Sequence, residues 1–317
     1  MKKNNILFIG HYLPECSYEV LENYFFCKKL KEEGNEITLL SNSWCADITN
    51  GFWGSFDDFT SNDIFCEKYF VDPIQVKHSC CNEIALLGLL KKLMKHKEYE
   101  HIIISNFADY GLVAMFLKNK KKCTLLQWGQ AEWLKMEDDY MSEMYEDFLT
   151  PYEVIATSSI KKDILKNMRW FRNKRVIELD GFNTEFNENN NNVAIVTMNK
   201  GINFLKEEVI PSQIKLHNVT IYSFGSAKIC MTDEADTIKS KEIKCIKELE
   251  EMLKENTMII EYDELFNGVS DISRLEFWMA LGKKIFVTDI NFKKVCNKYA
   301  FKQKIGYWEV WISDKNY

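Results

Sequence analysis

Short runs of β-branched and aliphatic residues alternate along the chain with amphipathic stretches, the pattern of strand followed by helix. The first run is Ile6-Leu7-Phe8-Ile9-Gly10. A helical stretch from about Ser17 to Glu33 follows and is closed by Gly34, a residue type that ends helices because it takes the left-handed conformation without a Cβ clash. Further strands are predicted over Glu36–Ser41, His101–Ser105, Cys123–Trp128, Val154–Ser158 and Arg175–Asp180, with helices over 83–97, 109–118, 138–149 and 159–168. Strands that alternate with helices in this way build a parallel sheet covered on both faces.

The polar run Asn187-Glu188-Asn189-Asn190-Asn191-Asn192 has no apolar residue to give to a core and reads as a linker. Beyond it the alternation restarts with Val193–Thr197, a helix from about Gly201, Val219–Gly225, a charged helix over 241–255, Met258–Tyr262, a helix around 272–281 and Lys284–Asp289. The expected fold is therefore α/β: two tandem Rossmann-like domains, 1–187 and 188–317, each with a parallel sheet. The aromatic end, Tyr307-Trp308-Glu309-Val310-Trp311-Ile312, is strand-like and suited either to pairing with a sheet edge of this chain or to an interface with another subunit.

One segment, 41–79, breaks the alternation in the first domain. It carries Trp44, Phe52, Trp53, Phe56, Phe59, Phe65, Tyr69 and Phe70 without clean periodicity, too many aromatic residues for a disordered loop. An extra strand pair packed over the sheet edge is the simpler expectation, and a substrate-facing lid is the alternative.

Composition narrows the function classes. Of the 317 residues 46% are hydrophobic, and 41 Lys+Arg stand against 47 Asp+Glu for a net charge of −6, which argues against nucleic acid as the main partner. The ten cysteines include no C-x-x-C pair and no histidine at zinc spacing, so no metal site is expected, and the adjacent Cys80-Cys81 is expected to be structural. Met1 to Asn5 is polar, and the longest uninterrupted apolar stretch, Ile84 to Leu90, is too short to span a bilayer. A cytoplasmic protein with reduced thiols is the expectation.

Three stretches, taken in order, carry a family resemblance. The opening ILFIGHYLP with LKEEGNEITLLS, the pair VIATSSIKKDIL and RVIELDGFNTEF, and finally Asn199-Lys200-Gly201-Ile202 with LEFWMALGKK at 275–284 span nearly the whole chain. Together they resemble the retaining nucleotide-sugar glycosyltransferases of family 4, whose two-domain GT-B fold implies parallel sheets facing across a cleft. The resemblance implies a transferase that takes a sugar from a UDP- or GDP-linked donor and needs no bound cofactor. Its acceptor would be a carbohydrate, a lipid-linked molecule or a protein, in envelope, polysaccharide or protein glycosylation, with a possible peripheral membrane or subunit contact.

The resemblance also implies site roles. Lys200 would hold the donor diphosphate, whose negative charge grows as it leaves. Its expected place, between the carboxyl end of a strand and the start of a helix, is where open α/β sheets bind anions. Glu276 would accept hydrogen bonds from the ribose hydroxyls, and Gly225 and Ser226 stand where the family has a glycine turn near the donor. The family's first-domain histidine has no match, as Trp128-Gly129-Gln130-Ala131-Glu132 stands in its place; His11 and Glu132 are the polar groups left as catalytic candidates, and Tyr12, Trp128 and Gln130 fall on the acceptor side.

Departures from the family pattern are equally concrete. The first glutamate of its E-x7-E pair is Gly268 here, the arginine before the K-G is absent from Ala194–Met198, and Glu15-Cys16-Ser17-Tyr18 replaces a glycine pair. Little chain follows Asp289 for the family's final strands and crossover helix. These losses support a second expectation, a glycosyltransferase-like partner or scaffold subunit reduced in catalysis. Another enzyme on tandem Rossmann units, such as an epimerase, is a third. No G-x-G-x-x-G is present, which disfavours a nicotinamide oxidoreductase.

Overall fold

The computed structural model describes residues 4–10, 18–42, 63–71, 83–105, 111–117, 123–127, 153–156, 176–178, 192–197, 202–204, 218–224, 229–231, 239–243, 245–256, 258–261, 281–287, 299–305 and 308–313, with a few isolated positions beside them. Those up to Glu178 form one compact unit and those from Asn192 onward a second.

In the first unit, strands β1 (Asn5–Ile9), β2 (Glu36–Asn42), β3 (Glu67–Val71), β4 (His101–Ser105), β5 (Cys123–Gln127), β6 (Glu153–Ala156) and β7 (Val176–Glu178) form one sheet in the order β3-β2-β1-β4-β5-β6-β7. Every pairing in it is parallel. Leu7, Phe8, Ile9, Leu39, Leu40, Ile102 and Ile104 are fully or almost fully buried, as expected of strands covered on both faces. The helices are α1 (Tyr18–Glu32), α2 (Glu83–His96) and α3 (Gly111–Leu117). Residues 21–27 of α1 are all buried, so this helix has no polar stripe over that stretch.

Gly34 ends α1 as its position predicts. Its φ is +91°, its N–H donates to the Lys31 carbonyl at 2.9 Å, and the Asn35 N–H reaches back to the Leu30 carbonyl at 3.2 Å. These are the two bonds of a Schellman motif, which satisfy carbonyls that the helix leaves open.

The 41–79 segment is corrected in part. Glu67–Val71 pairs in parallel with β2, Thr38 opposite Glu67, and so forms the outer member of the main sheet rather than a strand pair lying over its edge. Its sequence, EKYFV, mixes charge with aromatic residues because an edge strand is half solvated, and that hid it from the hydrophobic pattern. Lys97 ties the strand down through an ion pair to Glu67 at 3.1 Å and a hydrogen bond to Thr38 Oγ1 at 3.3 Å. Residues 43–62 and 72–82, and with them the lid alternative and Cys80-Cys81, lie outside the described residues. So do the helices expected over 138–149 and most of 159–168.

The second unit runs through β8 (Asn192–Thr197), β9 (Ile202–Phe204), β10 (Asn218–Phe224), β11 (Ile229–Met231), β12 (Lys239–Ile243), α4 (Ile246–Glu255), β13 (Met258–Glu261), β14 (Lys284–Val287), β15 (Tyr299–Ile305) and β16 (Trp308–Ser313). Its main sheet has the order β12-β10-β8-β13-β14-β16-β15, and β9 and β11 form a separate parallel pair. The parallel core repeats the strand order of the first unit. Two tandem Rossmann-like sheets are thus present, as the alternation predicts.

Three expectations for this unit change. The helix expected from about Gly201 does not start there: Ile202–Phe204 is a strand paired with Ile229–Met231, a β-branched and an aromatic residue flanking one polar position suiting extended backbone, and residues 205–217 lie outside the described residues. The charged helix begins at Ile246, not 241, because Lys239–Ile243 pairs in parallel with β10. Ile243 sits three residues before Ile246 and continues the stripe Ile246, Leu249, Met252, Leu253, which is why periodicity alone ran through the break. Finally, the sheet is not wholly parallel: β16 runs antiparallel to β14 and β15, so the aromatic C-terminal run pairs within the chain.

Among the described residues no helix is long and apolar enough to cross a membrane. Cys27, Cys66, Cys123 and Cys245 are free thiols, and burial pushes Cys123 up to about 12.

Candidate functional site

In an open α/β sheet ligands bind at the carboxyl ends of the strands, beside the point where the strand order reverses. In the first unit that point lies between β1 and β4, where Ile9 pairs with Ile104. The strand ends there are closely fitted. Gly10 donates its N–H to the Leu40 carbonyl at 3.3 Å, and a Cβ on Gly10 would lie 2.6 Å from Ser105 Cβ and 3.0 Å from Phe8 Cε1. Ser41 and Ser105 are both buried. Small and polar residues thus replace aliphatic ones where three strands leave the core, the composition that lets a connecting loop approach closely.

The equivalent point of the second unit lies between β8 and β13, with Val196 opposite Glu261. β8 and β10 end on this edge as paired neighbours. Residues 198–201 join β8 to β9, and residues 225–228 join β10 to β11. The flanking strands pair at both ends, Thr197 with Ser223 before the connections and Ile202 with Ile229 after them. These two strand pairings are the most specific feature of the described carboxyl edges.

The opposite, amino edge of the second unit holds a buried cation that was not among the expected site residues. Lys283 precedes β14 directly and is almost fully buried. Its ammonium donates to the carbonyls of Leu253 and Asn256, the second at 2.9 Å. Asn256 in turn donates to the Met252 carbonyl at 2.9 Å and to the Tyr222 hydroxyl at 3.0 Å, and Lys241 meets Glu255 at 3.0 Å. The Met252 and Leu253 carbonyls at the end of α4 are thereby satisfied, and positive charge sits at the negative end of the helix dipole. Burial lowers Lys283 to about 8. A depressed lysine often marks a catalytic base, but this nitrogen is engaged by carbonyls on the edge away from the strand ends, so its work is structural.

Lys283 is delivered there by a helix ending of the same type as that of α1. Gly282 has φ +76°, and the Lys283 N–H donates to the Trp278 carbonyl at 3.1 Å. Trp278 is helical and fully buried, in keeping with the helix expected around 272–281. Only the lysine after a helix-ending glycine, in Gly282-Lys283-Lys284, hinted at a cation near a helix terminus.

All nine site residues named from the sequence, His11, Tyr12, Trp128, Gln130, Glu132, Lys200, Gly225, Ser226 and Glu276, lie outside the described residues. What is described is their flanks. His11 and Tyr12 follow Gly10, Trp128 follows β5, and Gly225 and Ser226 follow β10. One supporting premise fails: the segment after Gly201 is a strand, so no helix N-terminus at that point supplies an anion site for Lys200. Among the described residues no group of three or more His, Cys, Asp or Glu side chains could hold a metal ion.

No protein-family model and no curated protein matches the sequence. Solved structures do match in shape. UGT89C1 of Arabidopsis thaliana, solved with UDP-L-rhamnose, has a TM-score of 0.52 at 10% identity, over 90% of this chain and 79% of that one. UGT2 of Phytolacca americana, solved with UDP-2-fluoro-glucose and pterostilbene, has a TM-score of 0.51 at 10% identity over 89% and 80%. A UDP-glucosyltransferase from Polygonum tinctorium capable of glucosylating indoxyl has a TM-score of 0.51 at 9% identity over 90% and 80%. At such identities the likeness is one of architecture, and on that ground the chain has the GT-B fold, two Rossmann-like units in tandem.

Proposed function

We propose that this protein is a glycosyltransferase that takes a nucleotide sugar as donor. The observation that supports the proposal is the pairing of neighbouring strands in the second unit, Thr197 with Ser223 at the carboxyl ends of β8 and β10 and Ile202 with Ile229 in β9 and β11. In the sequence Lys200 falls between β8 and β9, and Gly225 and Ser226 fall between β10 and β11. A cation and a Gly-Ser pair in two segments that follow neighbouring strands are the residue types a diphosphate leaving group needs, positive charge and accessible backbone N–H donors. The solved neighbours captured with UDP-L-rhamnose and UDP-2-fluoro-glucose support the same donor class.

In this reading residues 188–317 hold the UDP- or GDP-sugar, with Glu276 on the ribose, and residues 1–187 hold the acceptor of an envelope, polysaccharide or protein pathway beside His11, Tyr12, Trp128, Gln130 and Glu132. Transfer with retention, as in family 4, and a cytoplasmic setting belong to the same reading. The reaction is driven by positioning and electrostatics: the donor is held, the diphosphate charge is met by Lys200, and water is kept from the sugar.

A second reading, a partner subunit reduced in catalysis, is favoured by the strand Ile202–Phe204, which removes a helix dipole from the Lys200 connection, and by Gly268 in place of the first glutamate of the pair. Calorimetric titration with UDP, GDP and their sugars separates the outcomes. The donor reading expects binding by the wild type and at least a roughly tenfold loss in Lys200→Ala, the scale of one charge-assisted phosphate contact. Equal binding by both proteins removes Lys200 from the site.

A further inference from the structure

Near the amino ends of β2, β3 and β4, on the edge of the first unit away from the switch point, an exposed thiol stands beside a buried hydroxyl that has no hydrogen-bond partner. We propose that this thiol, Cys66, is a modification site, oxidised by hydrogen peroxide to a sulfenic acid that the pocket around it holds. Cys66 immediately precedes β3 and is exposed, whereas Cys27 and Cys123 are buried and Cys245 is half-buried. It is therefore the most open of the described thiols to a reagent in solution.

The pocket is built from β2 and from the connection between α2 and β4. Cys66 Sγ lies 3.9 Å from Thr38 Oγ1, and that oxygen accepts from Lys97 Nζ at 3.3 Å. Thr38 is almost fully buried. Lys97 is close enough to Cys66 for the two to interact electrostatically, and it also meets the Glu67 carboxylate at 3.1 Å. Tyr99 closes the inner side, with Lys97 Nζ 5.7 Å from the centroid of its ring. Tyr99 is only 2% exposed, and its hydroxyl faces Thr38 yet completes no hydrogen bond. Buried hydroxyls are normally satisfied, and one left open costs about 1–3 kcal/mol. What the pocket lacks is an acceptor.

An oxygen added to Cys66 Sγ supplies that acceptor. The sulfur attacks one oxygen of hydrogen peroxide, the S–O bond forms as the O–O bond breaks, and the departing hydroxide leaves with the thiol proton as water. Sulfur gives up two electrons and the peroxide takes them. The Lys97 ammonium meets the charge that grows on the departing oxygen. The product is neutral, so the Glu67 carboxylate does not oppose it. The strand also tolerates the change. The Cys66 thiol donates to the Ile37 carbonyl at 3.1 Å, but the Cys66 N–H donates to the same carbonyl at 2.9 Å, so loss of the thiol proton leaves Ile37 satisfied. The inference does not rest on the glycosyl-transfer reading, and its test uses no nucleotide.

The full chain is treated with hydrogen peroxide, catalase removes the excess, and dimedone is added after increasing delays. Mass spectrometry of the peptide that contains Cys66 then reads the surviving sulfenic acid. The expected result is a dimedone adduct at Cys66 whose yield falls at least about fivefold faster with delay in Tyr99→Phe than in the wild type, the scale of one lost hydrogen bond. Phenylalanine removes a hydroxyl that has no partner in the thiol form, so an unchanged melting temperature confirms that the variant is folded. Alkylation of Cys66 by iodoacetamide, which adds no oxygen to the sulfur, should run at the same rate in both proteins. Absence of an adduct at Cys66 overturns the proposal, as does an adduct of equal lifetime in the two proteins. A matching change in the iodoacetamide rate also overturns it, because exposure and not the Tyr99 hydroxyl would then govern the thiol.

Discussion

Replacement of Gly10 by alanine is expected to destabilise the first unit by about 1–3 kcal/mol, and replacement by valine by more. The added Cβ would meet Ser105 Cβ at 2.6 Å and Phe8 Cε1 at 3.0 Å. Ser105 Cβ is fixed by the backbone of β4, which β1 and β5 hold from either side, and the Phe8 ring is fully buried, so neither neighbour can simply swing away. Relief requires β1 and β4 to part at the switch point. Backbone conformation is not the constraint, because Gly10, unlike Gly34 and Gly282, does not have a positive φ. Urea denaturation of Gly10→Ala and of Gly10→Ala/Ser105→Gly checks the cause. The double variant should regain part of the loss, and a single variant within about 0.5 kcal/mol of the wild type would show that the strand ends are not tightly fitted.

Removal of the buried Lys283 is expected to be at least as costly to the second unit. Lys283→Ala empties a site that is almost fully buried and leaves the carbonyls of Leu253 and Asn256 without this donor. The cavity and the lost bonds outweigh the relief of no longer burying a charge, for a net loss of about 3 kcal/mol. Lys283→Met keeps the stem and should lose less. The pH dependence separates the two contributions. The folded pKa of about 8 lies below the ordinary lysine value, so between about pH 8 and that value the unfolded chain holds more protons than the folded one. Stability contributed by Lys283 therefore rises with pH through that window, and the gap between wild type and Lys283→Met should widen from about pH 7 to pH 10. The difference between the two proteins cancels Cys27 and Cys123, whose raised thiols act in the opposite direction. A gap that does not change with pH would mean that the ammonium is not buried.

Much of the architecture was legible because a doubly covered parallel sheet writes itself as apolar runs. Ile6–Ile9, Ile102–Ile104 and Val193–Val196 are such runs, and each is a central strand. Edge strands are not written that way. Glu67–Val71 and Lys239–Ile243 are half solvated, so charge conceals the first, and the second merges with the stripe of the helix that follows. The strand Ile202–Phe204 was hidden for another reason: three residues carry no period, and only pairing with Ile229–Met231, distant in sequence, defines it. Of the candidate site, the strand ends were legible but the buried cation was not. Lys283 is one of two adjacent lysines, and nothing local tells which of them the fold takes inside.

The central claim is that the carboxyl edge of the second unit holds the nucleotide, and hydrogen exchange in the presence of saturating UDP or GDP tests it most directly. The account predicts slowed exchange in peptides covering 198–204 and 224–231, the segments that follow β8 and β10 and the strands they enter, with no change around Lys283 and the end of α4 on the amino edge. Protection confined to that amino edge, or none anywhere with either nucleotide at millimolar concentration, would contradict it.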